Sequence, residues 1–554
     1  MKIGLVLTAP GPSASVRHVM ASVRDALSGD HELIYLHPSI AFAPQEEQHR
    51  IAGEFVTACD AIVGLIHPAV LTMRRQMGSR VPYFLLMLGT MPRGAFRFQE
   101  HIPQLSTDDV LIVNCEADRQ ICQSLFSNAH VPLVPLAFDD RSFYPLDEAE
   151  RSAIRADLGF GEGARVLLYP GRVIPEKNVH AVLRVFSLLL EETPDLFLML
   201  AGRIESIQFT EFGVTPTNFA RTLALASRRL GIPEDRVLCT GPVPPAELRE
   251  FYNVADVSIN LTLHHDENFG LAQVEAMACG SPVVGSMWGG LKDTIVDGST
   301  GYHVSTVPTP LGVKVNWWEA ASRVSSILQD ADAPERFRHD GPRRASLQFS
   351  PARLRDRLNE LLRARAGVRP SVPAEPLLVT DFAREFWATC DPAADVRPPY
   401  RRGVRAMELY RELITPYTGL STLGVQASTP LEDEQLLCLA VPVVGDPRAG
   451  FWLDDPLYPL ECEVPARHVR SFRKLLAAFA TEPVMTVERM TERYLLRSQD
   501  ALGALGWMIE TGLILRSLGL PGGISPTAVP SRVAQAIFSF QRLPPDGPDF
   551  IVSA

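Results

Sequence analysis

The sequence predicts an α/β protein: two doubly wound parallel-sheet domains followed by a smaller α+β domain. Three observations carry this. Strand-like apolar runs alternate with helical runs through the first two thirds of the 554 residues. Most of those runs are apolar on both faces, as strands covered by helices on both sides must be. The alternation also starts twice, at Lys2-Ile3-Gly4-Leu5-Val6 and again at Arg165-Val166-Leu167-Leu168-Tyr169.

The first series reads as a strand over residues 2–9, the turn Gly11-Pro12-Ser13 and an amphipathic helix ending near Leu27. Further strands are expected at 32–36, 61–66, 83–88, 110–114 and 132–136. The polar stretch 139–163 joins this series to the second, whose strands continue at 196–201, 236–239, 257–260, 282–285 and 301–304. Helices lie between them, as at 179–190 and 246–254. A basic helix over 351–366 precedes a run holding Pro370, Pro373 and Pro376, which reads as a linker. The expected division is a domain at 1–150, a domain at 151–366, a linker at 367–377 and an accessory domain at 378–554. In the last of these, helical signals fall at 382–388, 403–414, 466–479 and 487–518, the last broken near its glycines. A strand is expected over 435–442, and a winged-helix-like unit is one reading of 490–515.

Composition narrows the function classes. A formal net charge of -11 argues against a general nucleic-acid binder. The eight cysteines are scattered with no C-x-x-C pair, so they read as reduced thiols in small core spaces rather than zinc ligands or a disulfide frame. No apolar run reaches the ~18–20 residues of a membrane span. The first residues read as a strand without the cleavage pattern of a signal peptide. The expectation is a soluble, cytoplasmic protein.

Two motifs carry chemistry. In Glu267-Asn268-Phe269-Gly270-Leu271-Ala272-Gln273-Val274-Glu275, two carboxylates flank the start of an apolar helix that follows a strand, and Gly280 stops that helix. Free N–H groups near Phe269, Gly270 and Leu271 carry partial positive charge, which stabilises a diphosphate. Upstream, Gly171-Arg172-Val173-Ile174-Pro175-Glu176-Lys177 puts two cations on another strand-to-helix turn. Alone, Arg172 and Lys177 read as ordinary surface charges; with the second motif in the same domain they read as phosphate ligands. A glutamate on an apolar helix needs a partner, so Glu267 and Glu275 read as more than a solvated face. Together the motifs point to a nucleotide-sugar site. Asp330-Ala331-Asp332 trails a helix and reads as a solvated loop; His264-His265 lacks a third metal ligand in sequence.

These blocks, with Cys239-Thr240-Gly241-Pro242-Val243, Gly289-Gly290-Leu291-Lys292-Asp293 and Val134-Pro135-Leu136-Ala137-Phe138-Asp139, resemble the retaining glycosyltransferases of family 4, the group 1 family. The resemblance covers roughly residues 1–366 and is strongest in the second domain. It implies the GT-B fold, two facing Rossmann-like domains with the acceptor on the first and the nucleotide-sugar donor on the second. It further implies that Arg172 and Lys177 hold the leaving diphosphate, and that Glu267 bonds the donor sugar. Gly171, Asn268, Phe269, Gly270 and Leu271 would approach sugar or phosphate through backbone, Glu275 would bond the ribose, and Gly241 and Val243 would lie near the base. Gly11 and Ser13 would face the phosphate from the opposing domain. No cofactor and no metal are implied. Many relatives carry a His after the fourth strand of the first domain; here Thr90 and Arg93 are the substitutes on offer, while His18 and His101 read as structural.

The leading expectation is a retaining, metal-independent hexosyltransferase acting on a small molecule, a saccharide or a peptide. The competing readings are a nucleotide-sugar epimerase and a silent GT-B scaffold or binding module. The accessory domain is expected to recruit the acceptor or to make a homo-oligomer.

Overall fold

The computed structural model describes the chain apart from residues 7–13, 37–39, 41, 89–100, 211–212, 217, 265–266, 310–311, 367–373, 391–403, 422–423, 425–429, 441–442, 447–449, 454–460, 463–464, 483, 495–497 and 518–554. Gly11, Ser13, Thr90, Arg93 and most of the expected linker therefore lie outside the described residues.

The first sheet is parallel throughout. It comprises β1 (Lys2–Val6), β2 (Glu32–Leu36), β3 (Ala61–Gly64), β4 (Tyr83–Leu86) and β5 (Val110–Ile112), in the order β2-β1-β3-β4-β5. β3, β4 and β5 are buried along their whole length, which is why they read as unbroken apolar runs. The strand expected at 132–136 does not form: Leu133 makes only an isolated parallel bridge to Val113. The segment still runs beside β5, Val113 N donating to Pro132 O and Val134 N to Val113 O, but Pro132 has no N–H to extend the ladder into a regular strand.

The second sheet, also parallel, comprises β6 (Arg165–Pro170), β7 (Leu196–Ala201), β10 (Val237–Cys239), β11 (Val257–Asn260), β12 (Val283–Ser286) and β13 (Gly301–Val304). Two hairpins, β8 (Ile207–Thr210) with β9 (Gly213–Pro216) and β14 (Thr306–Thr309) with β15 (Gly312–Val315), stand outside it. The order β10-β7-β6-β11-β12-β13 reverses direction between β6 and β11. That is the switch point where open α/β sheets bind ligands, beyond the carboxyl ends of the strands. The helix Pro351–Ala366 then crosses back onto the first domain, where Asn359 Oδ1 accepts from His31 Nε2 at 2.7 Å and Asn359 Nδ2 donates to Asp30 at 2.6 Å. Two Rossmann-like domains joined in this way make the GT-B architecture.

The extension is α+β, and it is built into the two domains in turn. Thr107 N donates to Glu375 O at 2.8 Å, and Phe126 bridges Val379. Helices Asp381–Cys390 and Val404–Ile414 share one apolar core with the first domain, Phe386, Trp387 and Leu413 packing with Ile121, Leu125 and Phe126. Farther on, β16 (Leu436–Leu439) pairs antiparallel with β20 (Val484–Thr486) and β21 (Ile514–Ser517), while β17 (Val443–Asp446), β18 (Gly450–Leu453) and β19 (Glu461–Cys462) form another small sheet. Phe472, Phe479 and Leu505 beside the β16 sheet share a core with Val182, Phe186 and Trp317 of the second domain. The helix expected over 487–518 becomes Val487–Tyr494, Gln499–Glu510 and strand β21. Ser498 caps the second helix, and Gly512, at φ +79°, turns the chain out of it. Among the described residues, no helix is long and apolar enough to cross a membrane.

Candidate active site

The switch point collects both sequence motifs. β6 ends at Pro170, and Gly171 takes φ +131°. A Cβ on Gly202, at the end of β7, would fall 1.8 Å from Gly171 O, so the two strand ends approach as closely as bare backbone allows. The Tyr169 hydroxyl donates to Arg172 O at 2.6 Å and fixes the turn. Arg172 points outward, 3.5 Å from Glu205. A single 3₁₀ turn, Pro175–Lys177, follows, closed by Asn178 in the left-handed conformation at φ 58°. Asn178 Nδ2 donates to Leu261 O at 3.1 Å, tying this turn to the loop after β11.

That tie brings Lys177 to Glu267. The Lys177 ammonium donates directly to the Glu267 carboxylate, and the two side chains are only 19% and 12% exposed. One strand end supplies the cation and the neighbouring strand end the anion. Behind them Glu176 is buried; its carbonyl accepts from Leu263 N at 3.1 Å and from the Thr262 hydroxyl at 3.3 Å. His264, also buried, lies 3.9 Å from the Glu176 carboxylate. Residue 265 lies outside the described residues, and among those described no three His, Cys, Asp or Glu side chains group as a metal site.

Gly270, at φ +88°, opens the helix Leu271–Ala278, because only a residue without Cβ fits there: the atom would fall 2.4 Å from Leu291 Cδ2. This helix starts four residues after Glu267, and the first N–H groups of a helix have no partner within it. Phe269 is core, edge-on to Phe349 at 5.4 Å, so it serves the site through its backbone alone. The Asn268 side chain does something the sequence does not announce. It reaches across the crevice and donates to Met87 O at 3.3 Å and Asn114 Oδ1 at 3.1 Å, at the ends of β4 and β5 in the first domain.

Glu275 lies one helical face further on, half-buried, and accepts from the Tyr252 hydroxyl at 3.2 Å. Burial pushes its carboxyl up to about 8, against the pull of the Tyr252 hydrogen bond and with the push of nearby Asp139. Gly241, at φ +70°, and Val243 follow β10, two strands from β6 at the sheet edge. No direct contact joins them to Lys177 or Glu267 among the described residues. His18 lies 3.0 Å from Ala137 O, and His101 precedes the turn Ile102–Gln104. Asp330 accepts from Asp332 N at 2.9 Å and from Arg336 at 3.1 Å in an exposed loop.

Three partners escape sequence reasoning: Glu176 behind Lys177, Tyr252 on Glu275 and Asn114 facing Asn268. Glu176 stands next to a candidate cation in sequence, which is a signal; the other two are joined to the site only by tertiary contact.

Residues 150–344 match the family model described as Glycosyl transferases group 1. A D-inositol 3-phosphate glycosyltransferase of Kineococcus radiotolerans is 32% identical over 225 residues, 40% of this chain and 50% of that protein. A mannosylfructose-phosphate synthase of Agrobacterium fabrum is 34% identical over 162 residues, 29% of this chain and 34% of that protein. The chain thus spans about half the length, or less, of these curated relatives. Among solved structures, a glycosyltransferase from Rickettsia africae superposes with a TM-score of 0.52 at 15% identity, covering 66% of this chain and 98% of that one. Anabaena HepE in complex with UDP gives 0.51 at 19%, covering 66% and 100%. These two share the GT-B fold. The second α/β domain of this chain is thus similar in sequence to the group 1 glycosyl transferases over residues 150–344.

Proposed function

We propose, from the group 1 glycosyl transferase domain at residues 150–344, that the protein moves a hexose from a nucleotide-sugar donor to an acceptor hydroxyl with retention of configuration. The observation that carries the reading is the Lys177–Glu267 pair, set across the switch point beside a free helix N-terminus. In the structure the two charges satisfy each other. A donor replaces each partner: phosphate oxygens take the Lys177 ammonium, and sugar hydroxyls donate to the Glu267 carboxylate.

Charge then dictates the rest. As the bond between sugar carbon and phosphate oxygen breaks, negative charge grows on the diphosphate and positive character on the ring. Lys177, Arg172 and the N-terminus of Leu271–Ala278 stabilise the leaving group, so no divalent cation is required. The acceptor oxygen attacks from the face the diphosphate leaves, and its proton passes to a phosphate oxygen. The first domain presents the acceptor, a small molecule, saccharide or peptide. Glu275 takes the ribose, and Gly241 and Val243 lie toward the base.

The test is calorimetric binding of UDP-, GDP-, ADP- and TDP-sugars, with turnover and product anomer read by NMR. One donor should bind and turn over equally with and without EDTA, giving a product of unchanged configuration. Lys177→Ala should lower turnover about 10²–10³-fold. An inverted product would refute same-face attack, EDTA sensitivity would refute metal independence, and no binding of any donor would refute the transferase reading.

A further inference from the structure

The extension returns to the centre of the molecule at Tyr417. The turn Thr415–Tyr417 follows directly on helix Val404–Ile414, and the Tyr417 side chain is fully buried. Its hydroxyl donates to the Asp118 carboxylate, on the first-domain helix Glu116–Leu125. Its ring stands edge-on to Trp288 of the second domain, centroids 5.2 Å apart. Its carbonyl accepts from Gly289 N at 2.9 Å. Lys292 holds the same turn from the other side, donating to the carbonyls of Pro416 and Thr418.

Trp288 and the two glycines after it are the backing of the Glu267 loop. Trp288 Nε1 donates to His264 O at 2.8 Å, and Gly290 N donates to Glu267 O at 2.9 Å. A Cβ on Gly289 would fall 2.3 Å from Glu267 O and 2.7 Å from the Tyr417 ring. One glycine is thus clamped between the carbonyl of the candidate sugar-binding carboxylate and a ring from the extension.

We infer that Tyr417 is a positioning residue of the donor site: its ring, packed on Trp288 and Gly289, sets the backbone of Glu267. The inference rests on the proposed role of Glu267. It makes the extension a working part of the site rather than an appended acceptor module. Tyr417 itself touches no substrate.

The experiment uses the full chain with Tyr417→Leu and Tyr417→Phe. Amide hydrogen exchange is followed over residues 262–270 and 287–293, alongside UDP, GDP, ADP and TDP binding and nucleotide-sugar turnover. Tyr417→Leu should speed exchange in both segments at least tenfold and lower turnover at least tenfold. Nucleoside diphosphate affinity should stay within twofold, because Lys177 and the helix N-terminus are held by other contacts. Tyr417→Phe keeps the ring and should restore exchange and turnover to within threefold of wild type. Unchanged exchange in Tyr417→Leu overturns the inference. So does diphosphate affinity falling in step with turnover, which is general damage, or failure of Tyr417→Phe to rescue. If the wild-type chain binds none of the probes, the transferase reading falls, while the exchange measurement still decides whether Tyr417 orders the loop.

Discussion

Glu275 should make the folded protein lose stability as pH rises through neutrality. Its carboxyl is half-buried on the helix Leu271–Ala278, with one hydrogen bond, from Tyr252, and Asp139 close by. Burial lifts it from 4.5 to about 8. The sign follows from proton counting. Between those values the folded state keeps the proton and the unfolded state has lost it, so the unfolded state binds fewer protons and stability falls with rising pH. The contribution is fully present below the unfolded value and is gone once pH passes the folded one. One proton corresponds to about 1.4 kcal/mol per pH unit. Glu319, pushed up to about 7 by burial, acts in the same direction. Half-buried His303, His67 and His130, held below their usual range by desolvation, act oppositely at lower pH. The perturbation that isolates Glu275 is therefore Glu275→Gln, which keeps an acceptor for Tyr252 and cannot ionise. Urea transitions of both proteins at pH 6.0, 6.75 and 7.5, followed by tryptophan fluorescence, remove every group they share. The wild-type advantage should shrink by about 2 kcal/mol across that range. A difference flat in pH would show a carboxyl titrating in its ordinary range. A difference growing with pH would show a carboxylate stabilised by the fold, and either result would refute the burial argument.

Two further predictions concern packing. Gly290→Ala should destabilise the second domain by about 1–3 kcal/mol, read as a lowered urea midpoint, because the new Cβ would sit 2.3 Å from Phe269 N and 2.4 Å from Asn268 C; an unchanged midpoint would mean the loop yields freely. Truncation after Ala366 should leave a chain that aggregates on expression, since Phe386, Trp387 and Leu413 would leave one core and Phe472, Phe479 and Leu505 the other. A soluble truncated chain with a cooperative melt would refute the shared-core description.

The parallel sheets were legible because burial on both faces leaves a mark in each strand separately: Val257–Asn260 or Tyr83–Leu86 can be read without its neighbours. The second strand series is legible to within a residue or two at its ends for the same reason. Where the local signal and the environment part company, the reading slips. Residues 514–517 carry an apolar pattern that suits a helix or a strand, and it is pairing with β16 that makes them β21. Residues 132–136 look like a strand by composition and do bond to β5 at Val113, but Pro132 lacks the N–H that would extend those isolated bridges into a strand.

For the site, sequence supplied the chemical types and their attachment: cations after one strand, carboxylates around the next helix, glycines at each turn. Those are local properties, set by a strand end, a cap or a positive φ. Sequence could not state that Lys177 and Glu267 meet, because their contact depends on β6 and β11 being neighbours at the point where the sheet reverses. Nor could it state that Asn268 spans to Asn114, that Tyr252 donates to Glu275, or that Tyr417 closes against Gly289. Each of these joins segments far apart in the chain, and no periodicity or spacing records such a contact. What the residues can do was set by the sequence; which of them do it together was decided by the order in which the strands pack.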